Sequence, residues 1–275
     1  MRISKLSTSL LAGTLLTMIT LPALAQRVPA NYTMITYRKV APEKVEAFLA
    51  FTKSQTKKVS QARVDSGGIK GWSLLKLTAP YATGSDFNYA LVVYSTTYPD
   101  LDPDAADVAA VFQKAGVNRA EYLKQSRDLS SAVSQNIART ALRVGAVAEV
   151  GDFVRVDYHS TPADRQGELF EIEERIYAPM FKNVIEAGKG PRAWSVATPI
   201  LPLGTELGYS FYTTQVYKDN AGLGRGLGLS QEVFTKAHPT LNYMNTMQRV
   251  RELDKIVKVR IYRVLDIIGS PVVPR

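Results

Sequence analysis

A chain of 275 residues with 45% hydrophobic side chains carries 34 basic against 25 acidic residues, a net charge of +9. That is enough apolar mass for one substantial core or two smaller ones. No cysteine is present, which excludes disulfides and thiolate chemistry, and two histidines are too few for a multi-histidine metal centre. The basic residues are spread rather than clustered, which argues against a nucleic-acid partner.

Residues 1–25 read as a signal peptide. Arg2 and Lys5 form a basic start, Leu10 to Leu21 is an apolar stretch, and Ala23-Leu24-Ala25 is a small-residue cleavage site. The stretch is too short to span a bilayer, and no later segment is long enough either. Cleavage predicts a periplasmic or secreted protein starting at Gln26, with no integral membrane segment and a charge of +7 once Arg2 and Lys5 are gone.

In the mature chain, Tyr32 to Val40 alternates as a strand, and Pro42 opens a helix carrying Val45, Phe48, Leu49 and Val59 before Gly67-Gly68 stops it. Trp72 to Thr78 and Phe87 to Ser95 are strands joined by a turn-rich connection from Pro80 to Asp86. An acidic loop, Asp100 to Asp104, leads to helices at Ala105–Ala115 and Arg119–Val133, then a strand at Ile137–Val147. After Gly151 the order repeats. A strand runs from Phe153 to His159, and a helix from Thr161-Pro162 carries Leu169, Ile172, Ile176, Met180 and Val184, with Pro179 predicted to kink it. Strands at Trp194–Thr198 and Tyr209–Tyr217, further helices and a strand at Ile256–Leu265 complete the pattern.

The repetition extends to residues. Trp72-Ser73, Pro80 and Gly84-Ser85-Asp86 recur as Trp194-Ser195, Pro202 and Gly204-Thr205-Glu206, at an offset near 122. Val111-Phe112 aligns with Val233-Phe234, Tyr94 with Tyr217, and Arg143-Val144 with Arg263-Val264. A period this long is a duplicated domain and not a solenoid. The expected organisation is residues 26–150 and 151–268 as two repeats, with 269–275 as a tail. The order βαββαβ with an enlarged second helical segment resembles the ferredoxin-like unit of the dimeric α+β barrel superfamily. The resemblance implies an α+β fold in which two tandem units form the barrel internally.

Strand alternation then nominates a site. Val154, Val156 and Tyr158 occupy one side of their strand and are predicted to pack on helices, which leaves Arg155, Asp157 and His159 for the barrel lumen. In the last strand Lys258, Arg260 and Tyr262 share a side, opposite Val257, Val259 and Ile261. These polar groups would seat an acidic, partly apolar small molecule, with Arg155, Lys258, Arg260, Tyr262 and Trp194 as binding residues and Asp157 with His159 as an acid–base pair. The repeated tryptophans also suit core packing, and the charged face also suits a solvated sheet surface.

The leading expectation is a cofactor-free binding protein with a small-molecule ligand. Three alternatives stay open: a cofactor-independent monooxygenase-like or isomerase-like enzyme of the same fold, a haem protein with His159 or His238 as axial ligand, and an interaction module that homo-oligomerises. The glycine-rich run Gly222 to Gly228 satisfies no phosphate-loop pattern and reads as a loop. Asp100 to Asp104 imitates the start of a calcium loop but has Ala105 where the turn glycine belongs.

Overall fold

Eight strands, each hydrogen-bonded antiparallel to its neighbours, close into one barrel in the order β1-β3-β2-β8-β5-β7-β6-β4. The computed structural model describes residues 31–79, 85–98, 106–202 and 207–269. The expected signal peptide, the Pro80 to Asp86 connection, the acidic loop, the Gly204-Thr205-Glu206 motif and the 269–275 tail lie outside the described residues in whole or in part. The strands are β1 Asn31–Lys39, β2 Gly71–Ala79, β3 Tyr89–Ser95, β4 Ser131–Gly145, β5 Phe153–Ser160, β6 Ala193–Leu201, β7 Phe211–Tyr217 and β8 Lys255–Gly269. Helices α1 Val45–Phe51, α2 Lys57–Asp65, α3 Ala106–Ala115 and α4 Arg119–Leu129 belong to the first half. Helices α5 Gln166–Ile172, α6 Ala178–Glu186, α7 Asn220–Gly224, α8 Gln231–Ala237 and α9 Tyr243–Leu253 belong to the second. Among the described residues no helix is long and apolar enough to cross a membrane.

Each half contributes four consecutive barrel strands in the same spatial order: β4-β1-β3-β2 and β8-β5-β7-β6. The halves join along two antiparallel seams, β2 with β8 and β4 with β6. Local signals repeat with the topology. Asn118 caps α4 by accepting from Glu121 N, and Asn242 caps α9 by accepting from Asn245 N. The helix after the first strand of each half contains a π-helical segment at the matching place, Thr52–Thr56 between α1 and α2 and Glu173–Tyr177 between α5 and α6. Pro179 lies just after the second segment, and the first half forms its own with Lys58 at the equivalent place, so the irregularity does not require a proline.

Three layers of packing result. Helix-side cores lie under each half: Phe48, Ile69, Trp72 and Tyr89 in one, Leu142, Leu169, Phe181 and Trp194 in the other. A third cluster, with Tyr37, Leu77, Tyr158, Tyr212 and Tyr262, fills part of the barrel interior. Tyr-rich strands suit this interior, since aromatic rings fill a small barrel's volume while pleating alternates them with the outer face.

Two strand boundaries differ from the sequence expectation. The helix predicted to reach Val133 stops at Leu129, and β4 already begins at Ser131. Ser130 is extended, donates its N–H to Ser126 O and is pinned by Arg38, so the chain leaves the helix early. β8 likewise starts at Lys255, directly after α9. The glycine run expected as a loop contains the short helix α7, which Asp219 caps by accepting from Gly222 N at 2.7 Å.

Candidate functional site

The barrel encloses a cavity of about 130 Å³, close to the size of an engineered cavity of about 150 Å³ that binds benzene. Its wall comes from alternate residues of every strand. In β5 these are Val154, Val156 and Tyr158, the opposite phase to that expected from the sequence. Arg155, Asp157 and His159 therefore point out of the barrel, beneath the helices of the second half. The pairing explains the phase: Val154 lies opposite Tyr262, Val156 opposite Arg260 and Tyr158 opposite Lys258. Tyr262 lines the cavity and the Arg260 guanidinium lies over interior rings, so β5 must present its apolar side inward. The sequence reading gave β8 the side the structure shows and β5 the other, because nothing local distinguishes the two faces of an isolated strand.

Of the predicted binding residues, Tyr262 lines the cavity, and Arg260 lies against interior rings without lining it. The Arg260 guanidinium sits 4.5 Å from the Phe87 ring centroid, 5.6 Å from Tyr158 and 5.8 Å from Tyr37. Lys258 lies 6.0 Å from the Tyr158 ring centroid. Trp194 is on the other face, stacked on Phe181 with centroids 4.9 Å apart in the helix-side core. Its flat indole covers the underside of α6, and Ser195, the next residue, takes the lumen position. The same split applies to Trp72 and Ser73.

Arg143 is the lumen residue that strand alternation missed. A register shift between Thr140 and Leu142 in the β4–β6 pairing turns Arg143 inward beside Ser195, where simple alternation would have pointed it out. A matching shift in β8 turns Ile267 inward beside Ser73. Arg143 and Ile267 are thus counterparts, and the sequence match of Arg143 with Arg263 is out of register. Tyr94 likewise corresponds to Val216, both in the lumen, and not to Tyr217.

The electrostatics of this lumen are one-sided. Its lining includes no aspartate or glutamate. Arg143 makes no ion pair among the described residues, its Nε has no hydrogen-bond partner, and burial lowers the affinity of its guanidinium for its proton. Ser73 and Tyr94 hydroxyls lie 3.2 Å apart, and Ser195 and Thr214 hydroxyls 2.5 Å apart. Deeper in, Tyr37 and Tyr158 hydroxyls are 3.5 Å apart, and Tyr262 Oη has no hydrogen-bond partner. Burial, with the neighbouring phenols, pushes Tyr37, Tyr212 and Tyr262 well above the ordinary tyrosine range.

The displaced residues form a second polar cluster. Arg155 Nε donates to Asp157 Oδ1 at 2.8 Å, so that carboxylate is already paired. His159 Nδ1 lies 2.8 Å and 3.0 Å from the two Asp254 oxygens, and its Nε2 lies 3.0 Å from Thr213 Oγ1. Gln215 Nε2 donates to the same Thr213 oxygen at 2.9 Å. The network closes if Nδ1–H donates to Asp254 and the Thr213 hydroxyl donates to Nε2. The His159 ring stacks on Phe211, centroids 4.5 Å apart. Glu173, 2% exposed, is placed beside this group by the π-helical segment. Burial, then the adjacent Asp254, pushes the Glu173 carboxyl well above the ordinary carboxylate range.

No protein-family model matches the chain, and none of the characterised proteins compared with it matches in sequence. Solved structures match over most of its length. A candidate monooxygenase from Lactobacillus acidophilus superposes with a TM-score of 0.52 at 8% identity, over 89% of this chain and 100% of that one. A second candidate monooxygenase, from Fusobacterium nucleatum, scores 0.48 at 12% identity over 87% and 94% of the two chains. A haem-binding protein from Thermus thermophilus scores 0.45 at 9% identity over 90% and 95%. At such identities the likeness is one of fold, and only the first match is used to argue it. The closed antiparallel barrel with helices outside is the dimeric α+β barrel (ferredoxin-like) fold, completed here within one chain.

Proposed function

We propose that this chain is an exported small-molecule-binding protein, built from two tandem ferredoxin-like units, whose shared lumen holds a small, partly apolar anion. The observation that carries the reading is Arg143, a cation facing an otherwise carboxylate-free cavity with no anionic partner. A desolvated charge without a counter-ion is costly, and a ligand carboxylate or similar group removes that cost. Aliphatic and tyrosyl walls take the rest of the ligand, and the hydroxyls of Ser195, Thr214 and Tyr94, which also line the cavity, are available for orientation.

The geometry withdraws support from acid–base chemistry by Asp157 and His159 on a lumen ligand, since both lie on the far side of the sheet. It also fails to fit haem, the group named for one structural match. The cavity is well below the roughly 300 Å³ at which cofactor pockets begin. His159 has both ring nitrogens engaged, and His238 Nε2–H donates to Ile176 O at 3.0 Å. Neither histidine lines the lumen.

Benzoate, a small apolar ring carrying one carboxylate for Arg143, is the probe of choice. Calorimetric titration should show benzoate binding to the mature protein, a much weaker response to uncharged benzamide, and loss of benzoate binding in Arg143→Gln. Equal affinity for the two probes, or benzoate binding that survives Arg143→Gln, refutes the reading.

A further inference from the structure

The two halves place different chemistry at one equivalent position. In the first half Arg38 closes β1, and a register shift between Tyr37 and Arg38 in the β1–β4 pairing aims it under the helices. Its Nη2 donates to Ser126 O and Oγ at 2.9 and 3.0 Å and to Ser130 O and Oγ at 3.1 and 2.7 Å. Thr52, first residue of the π-helical segment, is buried in the same half. In the second half the matching shift falls between Tyr158 and His159. The counterparts of Arg38, Ser130 and Thr52 are His159, Asp254 and Glu173. Where the first half holds a guanidinium hydrogen-bonded through Nε and Nη2, the second half holds one imidazole and two carboxyl groups.

The second position brings two carboxyl groups together in the interior, and only one of them has a partner among the described residues. Asp254 has His159 as its partner, and Glu173 makes no hydrogen bond or ion pair among the described residues although it is 98% buried. Arg155, on the same strand, is engaged with Asp157. Ligand atoms of His159, Glu173 and Asp254 all lie within 4.8 Å of one another. Both carboxyl groups can ligate a divalent cation, Glu173 releasing on binding the proton that its burial favours, and the cation then cancels their charge. Asp254 also ends α9, so the negative end of that helix adds to the attraction for a cation.

We infer that His159 Nδ1, Glu173 and Asp254 form a binding site for one divalent transition-metal ion, of the zinc or manganese type, in the helix–sheet interface of the second half. The mixed nitrogen–oxygen donor set suits those ions better than calcium or magnesium. On binding, the imidazole gives up its Nδ1 proton to a tautomer in which Nε2–H donates to Thr213 Oγ1, which stands 3.0 Å away as the supporting partner a metal-bound histidine needs. The ion would tie β5, the π-helical segment and the end of α9 together, where in the first half Arg38 ties β1 to the end of α4. This site is separate from the lumen, and its occupancy does not depend on the lumen reading.

The test is equilibrium dialysis of the untagged mature protein against Zn²⁺, Mn²⁺ and Co²⁺, with elemental analysis of the retained ion and thermal unfolding of each sample. The expected result is one ion per chain and a midpoint raised by roughly 5–10 °C at about a hundred-fold excess over the dissociation constant. Co²⁺ should give visible bands of a nitrogen–oxygen site. Glu173→Gln, a near-isosteric change, should lower affinity at least about tenfold while circular dichroism stays unchanged. Because metal-dependent stabilisation is also read on the wild type, a variant that fails to fold does not block the test. A wild-type protein that binds none of the three ions, or whose midpoint none of them shifts, overturns the inference. So does binding that Glu173→Gln and Asp254→Asn leave intact.

Discussion

Replacing Arg143 by isoleucine gives the first half the residue that the second half carries at the same place, Ile267. In the ligand-free protein this should stabilise. The variant removes a guanidinium whose Nε lacks a partner, and leaving a buried donor unsatisfied costs about 1–3 kcal/mol. It also replaces a polar head with apolar surface, although the arginine stem already supplies part of that burial. The net expectation is a gain of about 1–3 kcal/mol, or roughly 2–4 °C in midpoint for each kcal/mol in a chain of this size. Ligand binding should move the other way. Losing a charge-assisted hydrogen bond of about 1.5–3 kcal/mol weakens benzoate by roughly ten- to a hundred-fold. Urea unfolding with and without benzoate reads both effects in one experiment. The variant should be the more stable protein without benzoate, and the wild type should regain the lead as benzoate saturates it. If Arg143→Ile lowers the ligand-free midpoint, the guanidinium is a structural member of the barrel and the reasoning fails.

Three further outcomes follow from the geometry. Tyr37, Tyr212 and Tyr262 hold their protons above the ordinary value of 10.0, so above that pH the unfolded chain releases protons that the folded chain retains. Stability should therefore be unaffected by these groups below about pH 10 and fall above it by about 1.4 kcal/mol per pH unit for each tyrosine. Tyrosinate absorbance appearing only with loss of the folded signal would check it, and smooth titration of all tyrosines in the folded protein would contradict it. Trp194→Ala should cost about 3–5 kcal/mol yet leave benzoate affinity unchanged, because the indole packs on Phe181 outside the lumen. Gly145 has φ +90 and any Cβ there collides with the Arg192 carbonyl oxygen, so Gly145→Ala should lower the urea midpoint by the equivalent of about 1–3 kcal/mol.

Element order and the repeated strand order could be read from the sequence because they rest on long periodic segments and on Trp-Ser pairs whose two residues serve both faces of the sheet. The site was less accessible. Alternation in β5 is as clean for an inward apolar face as for an outward one, and only the pairing with Arg260 and Tyr262 decides between them. Arg143 was hidden by a bulge, which reverses phase partway along β4 without leaving a glycine or proline as a mark. Glu173 and Asp254 lie 81 residues apart in the numbering and meet only because a π-helical turn and a helix end converge on the strand that carries His159. None of these three devices has a sequence signature of its own.

The seams between the halves bear on how the chain reaches its native state. β2 pairs Gly71 with Gly269, 198 residues further on in the numbering, so that ladder cannot form until the chain through β8 is present. Until then β2 is an open edge, a template for pairing with another chain. Ring closure of this kind makes for slow folding, dominated by non-local contacts. A truncation that removes β8 should therefore not yield a smaller soluble barrel. It should leave the β2 and β5 edges bare and drive the chain to associate with itself.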